Sequence, residues 1–213
     1  MLLSQKNMNV PLPTIKSLIS IDAFVHDRQR MLDALVDNLD GLVYCNLYDK
    51  YWTMIFVSNG CKELTGYSPE ELVFNKVVSY EEITFKDDRE MVRNTIEEAI
   101  KLGTRFEVEY RIVHVNTDII WVCERGHPIY NAQGKVHAIE GFIQNITERK
   151  QIEQSLRDTE FRYRSIFENA IEGIFQTSPN GHYLIVNPAL ARMYGYSSPE
   201  ELMLVLNNIQ QQL

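Results

Sequence analysis

Residues 64–76 read LTGYSPEELVFNK, and residues 193–202 read MYGYSSPEEL, which is nearly the same phrase. In both copies, serine, proline and two glutamates follow a glycine. Serine caps the free amides at a helix start, proline fits the first helical position, and acids favour the first turn. The phrase therefore predicts a short helix after a sharp turn at Gly66, and the same arrangement after Gly195.

The repetition extends beyond this phrase. LVDNLDGLVY at 35–44 parallels IFENAIEGIFQ at 166–176, and FVSNGCKELTGYSPEEL at 56–72 parallels IVNPALARMYGYSSPEEL at 185–202. Such self-similarity indicates two copies of one structural unit. The second copy has no counterpart of the long helix and three strands that follow the first. We expect it to belong to a longer protein, or else to be completed by a partner.

The segments around the first phrase predict an α+β fold. LVYCNLY and WTMIFVS form a hairpin, and KDDREMVRNTIEEAIKLG forms a long helix that Asp87 caps. RFEVEYRIVHV alternates strictly and predicts a strand with one buried face. DIIWVCERGHPIY and KVHAIEGFIQNI supply two more strands. We expect a five-stranded antiparallel sheet with helices on one face.

Apolar residues at helical spacing predict two further helices, one on each side of the sheet domain. We predict an amphipathic helix at 21–39 and a coiled-coil-like linker helix at 148–167, with Ile152, Leu156 and Tyr163 on its seam. The predicted parts are a flexible leader at 1–20, the helix at 21–39, the sheet domain at 40–147, the linker at 148–167 and a partial unit at 168–213.

Composition excludes several classes of protein. The 213 residues carry a net charge of −8, which does not favour nucleic-acid binding. The three cysteines are widely spaced and indicate neither disulfides nor a zinc site, as is typical of a reducing compartment. No apolar run is long enough to span a membrane. We therefore expect a cytoplasmic protein without a membrane span.

The order of these motifs resembles tandem PAS domains, each with a C-terminal PAC segment, as found in bacterial sensor histidine kinases and diguanylate cyclases. The resemblance rests on GYSPEEL, on Trp121-Val122 followed by Glu124-Arg125-Gly126, on the closing ITERK and on the second GYSSPEEL. It implies a complete PAS/PAC domain at 40–147 and the N-terminal half of a second PAS domain at 168–213.

The resemblance also implies a function. Such a module would detect a small ligand, a redox change or a partner, and pass the signal through the linker helix to an output domain of the parent protein. A sensor histidine kinase in a phosphorelay is the favoured parent. The alternatives are the input module of a diguanylate cyclase and a stand-alone interaction scaffold. No catalytic domain is expected, because the chain has neither a GGDEF-type stretch nor Gly-rich ATP-binding boxes.

Two segments depart from the family pattern. Phe85-Lys86 stands where the family usually has His-Pro, and Asn145-Ile146-Thr147 replaces the usual Asp-Ile-Thr. The resemblance implies signal transfer at this second segment, and we predict that Glu148 and Arg149 pin the junction between strand and helix. The signal-transfer residues predicted here are Asn145, Ile146, Thr147, Glu148 and Arg149.

The cofactor expectations follow from what the family uses. Photoactive flavin members carry a cysteine after the GY phrase, and haem members carry a histidine on the long helix; this chain has neither. We therefore expect no haem, photoactive flavin or metal, and either a plain packed core or a pocket for a small organic ligand. Homodimerisation is expected through the helices at 21–39 and 148–167. The candidate pocket residues are Tyr44, Phe56, Phe106, Tyr110 and Trp121.

Overall fold

The computed structural model describes residues 21–210, with side chains from 26 to 207. The predicted flexible leader at 1–20 lies outside this range. The helices are α1 (Ile21–Asp37), α2 (Cys61–Thr65), α3 (Pro69–Leu72), α4 (Tyr80–Ile83), α5 (Arg89–Leu102), α6 (Thr147–Asn169), α7 (Pro188–Met193) and α8 (Pro199–Gln210). The strands are β1 (Leu42–Leu47), β2 (Met54–Val57), β3 (Phe106–Val113), β4 (Ile119–Tyr130), β5 (Val136–Asn145), β6 (Phe175–Thr177) and β7 (Tyr183–Val186).

The first five strands form one antiparallel sheet in the order β2-β1-β5-β4-β3. This confirms the predicted five-stranded sheet and its α+β class. In β3 the apolar residues Phe106, Val108, Tyr110 and Ile112 are buried, as the strict alternation predicts. They pack into a core with side chains from α2, α3, α4 and α5, so one face of the sheet is covered by helices.

The GYSPEEL phrase forms the predicted corner. Gly66 ends α2 in the left-handed region, with φ 85°, where glycine avoids the steric cost that a Cβ would bring. Ser68 precedes α3 with Pro69 at its first position, and the Ser68 amide donates to Glu71 Oε2 at 2.8 Å. The two residues thus form the reciprocal arrangement known as a capping box. Leu72, at the end of α3, is fully buried.

The start of α5 differs from the prediction that Asp87 caps the helix. A short 3₁₀ turn, Lys86–Asp88, comes first, and Asp88 is the residue that precedes the helix. Its side chain makes no cap; both carboxylate oxygens bind the Arg111 guanidinium instead, at 2.5 and 2.9 Å. The hydrogen bonds to Arg111 are stronger than a bond from a helix amide to the same carboxylate would be, because both partners of the ion pair are charged.

The chain divides into two compact units, with the boundary between Thr147 and Glu148. In the second unit β6 pairs with β7 as an antiparallel hairpin. Asn187 is fully buried there, and its amide oxygen accepts from the amides of Ile174 and Leu190 at 2.9 and 3.0 Å. This side chain therefore fixes the end of the hairpin to the start of α7.

Both long helices expose apolar side chains. Met31, Leu32 and Leu35 on α1 are exposed, and so are Ile152 and Leu156 on α6. The helix α1 ends two residues before the predicted boundary at 39, and α6 extends slightly beyond the predicted range 148–167. Within residues 21–210, none of the helices combines the length and apolar character needed to cross a bilayer.

Candidate functional site

A cavity lies between the sheet and the helices that cover it. Its volume is about 490 Å³ when the open mouth is included. The inner space, counted as the volume through which the centre of a water molecule can move, is about 50 Å³. One water needs roughly 10–15 Å³ by the same measure, so the inner space suits a small molecule. The lining residues are Tyr44, Asn46, Trp52, Met54, Tyr80, Glu81, Thr84, Arg89, Val92, Arg93, Ile96, Tyr110, Glu124 and Ile143.

A buried carboxylate marks the inner end of this cavity. Glu124 on β4 is 5% exposed, and its Oε2 accepts the hydroxyl of Tyr110 at 2.6 Å. Its Oε1 accepts the hydroxyl of Tyr44. Burial raises the pKa of Glu124, and the two tyrosine hydrogen bonds oppose that rise only in part. A buried acid is costly when charged, and within residues 26–207 no lysine, arginine or histidine binds this carboxylate to offset that cost.

Two polar side chains at the cavity have an atom without a hydrogen-bond partner. The Tyr80 hydroxyl and the Asn46 amide oxygen are both buried and unpaired. The Tyr80 hydroxyl lies beside the hydroxyl of Tyr110 and near the Glu124 carboxylate, but its contact with Tyr110 does not reach normal hydrogen-bond geometry. Buried polar atoms are nearly always paired in proteins. The unpaired atoms therefore indicate a place where a ligand or water supplies the missing partner.

The cationic residues of the lining already have partners. Arg93 donates to both oxygens of Glu81, at 2.9 and 3.0 Å, and its guanidinium lies 5.4 Å from the ring centre of Trp52. Arg89 donates to the carbonyl oxygens of Thr84 and Glu82, at 3.0 and 2.9 Å. These interactions hold the two arginines to the chain that precedes α5.

The five predicted pocket residues do not all lie at the cavity. Tyr44 and Tyr110 line it, whereas Phe106 is buried in the core beside it. Phe56 is 48% exposed and faces away from the core. Trp121 is half-buried and pairs with Arg111, whose guanidinium lies 5.6 Å from the indole ring.

Expecting Phe56 to face inward was wrong because Val57, and not Phe56, stands opposite the inward-facing Tyr44. Tyr44 faces inward and pairs with Val57, so Val57 also faces inward and Phe56 does not. The register shifts at the next pair, and Met54 returns to the buried face. Trp121 is excluded from the cavity by simple alternation, because its neighbour Val122 is the buried residue.

Sequence reasoning missed the most distinctive residues, Glu124, Tyr80 and Asn46. Glu124 stands at an inward position of β4, between the buried Val122 and Gly126. A charged residue in an inward register is the signal that points to it. No pattern in the sequence singles out Tyr80 or Asn46, because tyrosine and asparagine are common on both faces of such elements.

The predicted signal-transfer segment connects β5 to α6. The Ile146 amide donates to the Trp121 carbonyl oxygen at 2.8 Å, and the Trp121 amide donates to Thr147 Oγ1 at 3.0 Å. Asn145 Oδ1 accepts the Thr147 amide at 2.9 Å. Glu148 is exposed, and Arg149 pairs along the helix with Glu153 at 3.4 Å. Ile146 and Thr147, where α6 begins, are therefore hydrogen-bonded to the backbone of β4.

Metal-ligating side chains do not cluster in the described part of the chain, where no group of three or more His, Cys, Asp or Glu residues is placed to hold an ion. The three cysteines are free thiols that form no disulfide with one another.

Comparison with known proteins identifies the fold. Residues 54–143 match a family model described as the PAS fold, and residues 162–213 match one described as a PAS domain. The sensory box histidine kinase/response regulator of Burkholderia thailandensis aligns with a TM-score of 0.51 at 24% identity, over 65% of this chain and 98% of that one. An RNA-binding Light-Oxygen-Voltage receptor aligns with a TM-score of 0.53 at 18% identity, over 71% and 41% of the two chains.

Two curated relatives are more similar in sequence. The sensor protein FixL of Bradyrhizobium diazoefficiens is 28% identical over 116 residues, which cover 54% of this chain and 23% of FixL. The methyl sulfide methyltransferase-associated sensor of Methanosarcina acetivorans is 28% identical over 129 residues, covering 60% and 13%. The chain thus spans less than a quarter of either relative. With PAS matches over both of its units, the chain belongs to the PAS family.

Proposed function

We propose that this chain is a sensory module of a signal-transduction protein, and that the domain at 40–147 detects a small organic molecule in its cavity. The observation that carries this proposal is the unpaired, buried Tyr80 hydroxyl beside Glu124 in a cavity with room for a ligand. Ligand sites are concave, mostly apolar, and contain a few well-placed polar groups. A plain core would leave Tyr80 and Asn46 unpaired at a cost.

A route for the signal runs through neighbouring residues. Tyr110 faces the cavity, and the next residue, Arg111, lies on the other face and contacts Trp121. The Trp121 backbone in turn binds Ile146 and Thr147 at the start of α6. A ligand that moves Tyr110 would act on this junction, and two arrangements of α6 would carry the response.

The parent protein is proposed on the basis of its relatives. Both curated relatives are named as sensors, and this chain matches only a small part of each. We propose a sensor histidine kinase of a phosphorelay, with a diguanylate cyclase as the second candidate. In either case the catalytic output lies in another domain, and this chain has no activity of its own.

The ligand proposed is small, rather than haem or a photoactive flavin. The inner space of about 50 Å³ for water centres fits a molecule of a few non-hydrogen atoms. The helix α5 has no histidine and the segment after Gly66 has no cysteine, the residues expected to hold haem and flavin in this family. The free thiols agree with a cytoplasmic location.

A thermal-shift screen of metabolites tests the sensing proposal. Ile96→Phe narrows the cavity from α5, and Met91→Phe adds similar bulk to an exposed position of the same helix. Circular dichroism establishes that both variants fold. We expect compounds that stabilise the wild type and Met91→Phe but not Ile96→Phe. The proposal fails if no compound stabilises the chain, or if Ile96→Phe responds equally.

A second candidate is a dimerisation scaffold, which the exposed apolar residues of α1 and α6 favour. We propose a homodimer through both helices, because Leu35 and Leu156 are more than half exposed in one chain. Leu35→Lys and Leu156→Lys should lower the mass measured by light scattering, whereas Asp33→Lys should not. A monomeric wild type would exclude the scaffold and leave ligand sensing intact.

A further inference from the structure

The inner end of the cavity is rich in hydrogen-bond acceptors and contains an acid. The Glu124 carboxylate and the hydroxyl oxygens of Tyr44, Tyr80 and Tyr110 come together there from four different elements. Among the described residues, no lysine, arginine or histidine binds this carboxylate; its hydrogen bonds come from Tyr44 and Tyr110 alone. What this end of the cavity lacks is a positive charge that carries hydrogen-bond donors.

The arginines of the lining do not fill this role. Arg93 is bound to Glu81, and Arg89 is bound to backbone carbonyls. Neither donates a hydrogen bond to Glu124, whose pKa is raised by burial and lowered by the hydrogen bonds of the two tyrosines. An anionic ligand at the inner end would meet Glu124 directly, and two unpaired like charges in a buried site repel strongly.

We infer that the cavity binds a small primary amine, whose ammonium group is held by the Glu124 carboxylate and the Tyr80 hydroxyl. This inference rests on the proposed sensing function and names the class of its ligand. An ammonium group offers three donors and one positive charge. It would donate a hydrogen bond to the Tyr80 hydroxyl, which is 93% buried and has no hydrogen-bond partner, and it would pair with the charge of the Glu124 carboxylate. The apolar chain of the amine would lie against Met54, Ile96 and Ile143.

The charge of Glu124 gives this binding a pH dependence. Since burial raises the pKa of Glu124, the free protein keeps the proton to a higher pH than an exposed glutamate would, whereas an ammonium ion favours the ionised form. Amine affinity should therefore increase as pH rises through this pKa. The titratable and charged groups facing the site are Tyr44 on β1, Tyr80 and Glu81 on α4, Arg89 and Arg93 on α5 and Tyr110 on β3.

Three probes with the same carbon chain test the inference: propylammonium, 1-propanol and propionate. Ligand-observed NMR and calorimetry on the full chain measure each dissociation constant. We expect propylammonium to bind at least ten times more tightly than the other two. Glu124→Gln should weaken it at least tenfold, and Tyr80→Phe several-fold. Glu98→Gln, at an exposed position of α5, should leave it unchanged.

The outcomes separate this inference from the sensing proposal. If 1-propanol or propionate binds as tightly as propylammonium and Ile96→Phe abolishes that binding, the inference of an amine ligand is wrong. The proposal that the cavity senses a small molecule is then still supported. If propylammonium binds but Glu124→Gln has no effect, the assigned site is wrong. If no probe binds and the metabolite screen also finds no ligand, both proposals fail.

Discussion

Tyr110 and Glu124 join neighbouring strands β3 and β4 through a 2.6 Å hydrogen bond from the tyrosine hydroxyl to the carboxylate. The second carboxylate oxygen accepts the hydroxyl of Tyr44 from β1. One buried acid therefore connects three strands at the inner end of the cavity. Because none of the cationic side chains in the described part of the chain binds this carboxylate, the acid makes the stability of the domain depend on pH.

The first prediction concerns this dependence. Burial raises the pKa of Glu124 in the folded chain, whereas unfolded glutamate has a pKa of about 4.3. The folded state therefore holds the proton more tightly. Its contribution to stability is complete below about pH 4.3 and is lost as pH rises through the folded pKa. We expect the free energy of unfolding of the wild type to fall relative to that of Glu124→Gln over this range.

Urea unfolding of both proteins from about pH 4.5 to about pH 8 measures that difference. Subtracting the two profiles cancels the other acids, including those whose pKa is lowered. Glu98→Gln, on the exposed side of α5, should run parallel to the wild type. Parallel profiles for Glu124→Gln and the wild type would contradict the prediction.

The second prediction concerns Gly141, which lies beside Tyr44 in the sheet. A Cβ at Gly141 would lie 2.6 Å from the Arg125 carbonyl oxygen and 2.8 Å from the Tyr44 hydroxyl. The carbonyl is part of the β-ladder and cannot move freely, so Gly141→Ala should cost about 1–3 kcal/mol of unfolding free energy. Displacing Tyr44 should also break its bond to Glu124.

A double-mutant cycle with Tyr44→Phe measures this coupling. Tyr44→Phe alone should cost about 1–3 kcal/mol, because it removes a donor from a buried carboxylate. If Gly141→Ala already breaks that bond, the double variant should be less destabilised than the sum of the single ones. Additive costs would show that Gly141 does not position Tyr44.

The third prediction concerns the ion pair of Asp88 and Arg111. Asp88 accepts from the Arg111 guanidinium at 2.5 and 2.9 Å and from the Arg111 amide at 2.9 Å. These contacts lower the pKa of Asp88, with the Arg111 side chain as the main cause. Asp88→Asn should cost about 1.5–3 kcal/mol, the range for hydrogen bonds to charged groups.

The acid limb of the stability profile gives a second readout. A lowered pKa stabilises the fold above the unfolded value, about 3.9 for aspartate, and this contribution disappears as pH falls through the folded pKa. Asp88→Asn should therefore flatten the loss of stability below about pH 4. Asp87→Asn, at the exposed neighbouring position, should change the unfolding free energy by less than about 0.5 kcal/mol.

These sites differ in how far the sequence predicts them. The inward position of Tyr110 follows from strict alternation in β3, and the corner at Gly66 follows from its turn chemistry. The prediction for Phe56 is wrong because β2 pairs with β1 so that Val57 stands opposite Tyr44, and a run of apolar residues does not reveal that register. The ion pair of Asp88 leaves no local pattern in the sequence because its partner, Arg111, lies 23 residues away. Local patterns thus predict local contacts, while the cavity depends on pairings between distant segments.

The last prediction concerns Asn145, where the family usually has aspartate. Its side-chain oxygen accepts the Thr147 amide at 2.9 Å, which occupies one of the free amides at the start of α6. Asn145→Ala removes this acceptor and should cost about 1 kcal/mol at the helix start. Asn145→Asp keeps the acceptor and adds a negative charge near the positive end of the helix dipole, a gain of about 0.3–1 kcal/mol.

Hydrogen exchange separates the two variants. Amides in the first turn of α6 should exchange faster in Asn145→Ala and slower in Asn145→Asp than in the wild type, while Tyr110 and its neighbours in β3 stay unchanged. The Trp121 amide, which donates to Thr147 Oγ1 at 3.0 Å, should follow the first turn because the two are bonded. If exchange at Trp121 does not change with that of α6, the junction does not couple strand and helix, and the route from Tyr110 through Arg111 and Trp121 is wrong.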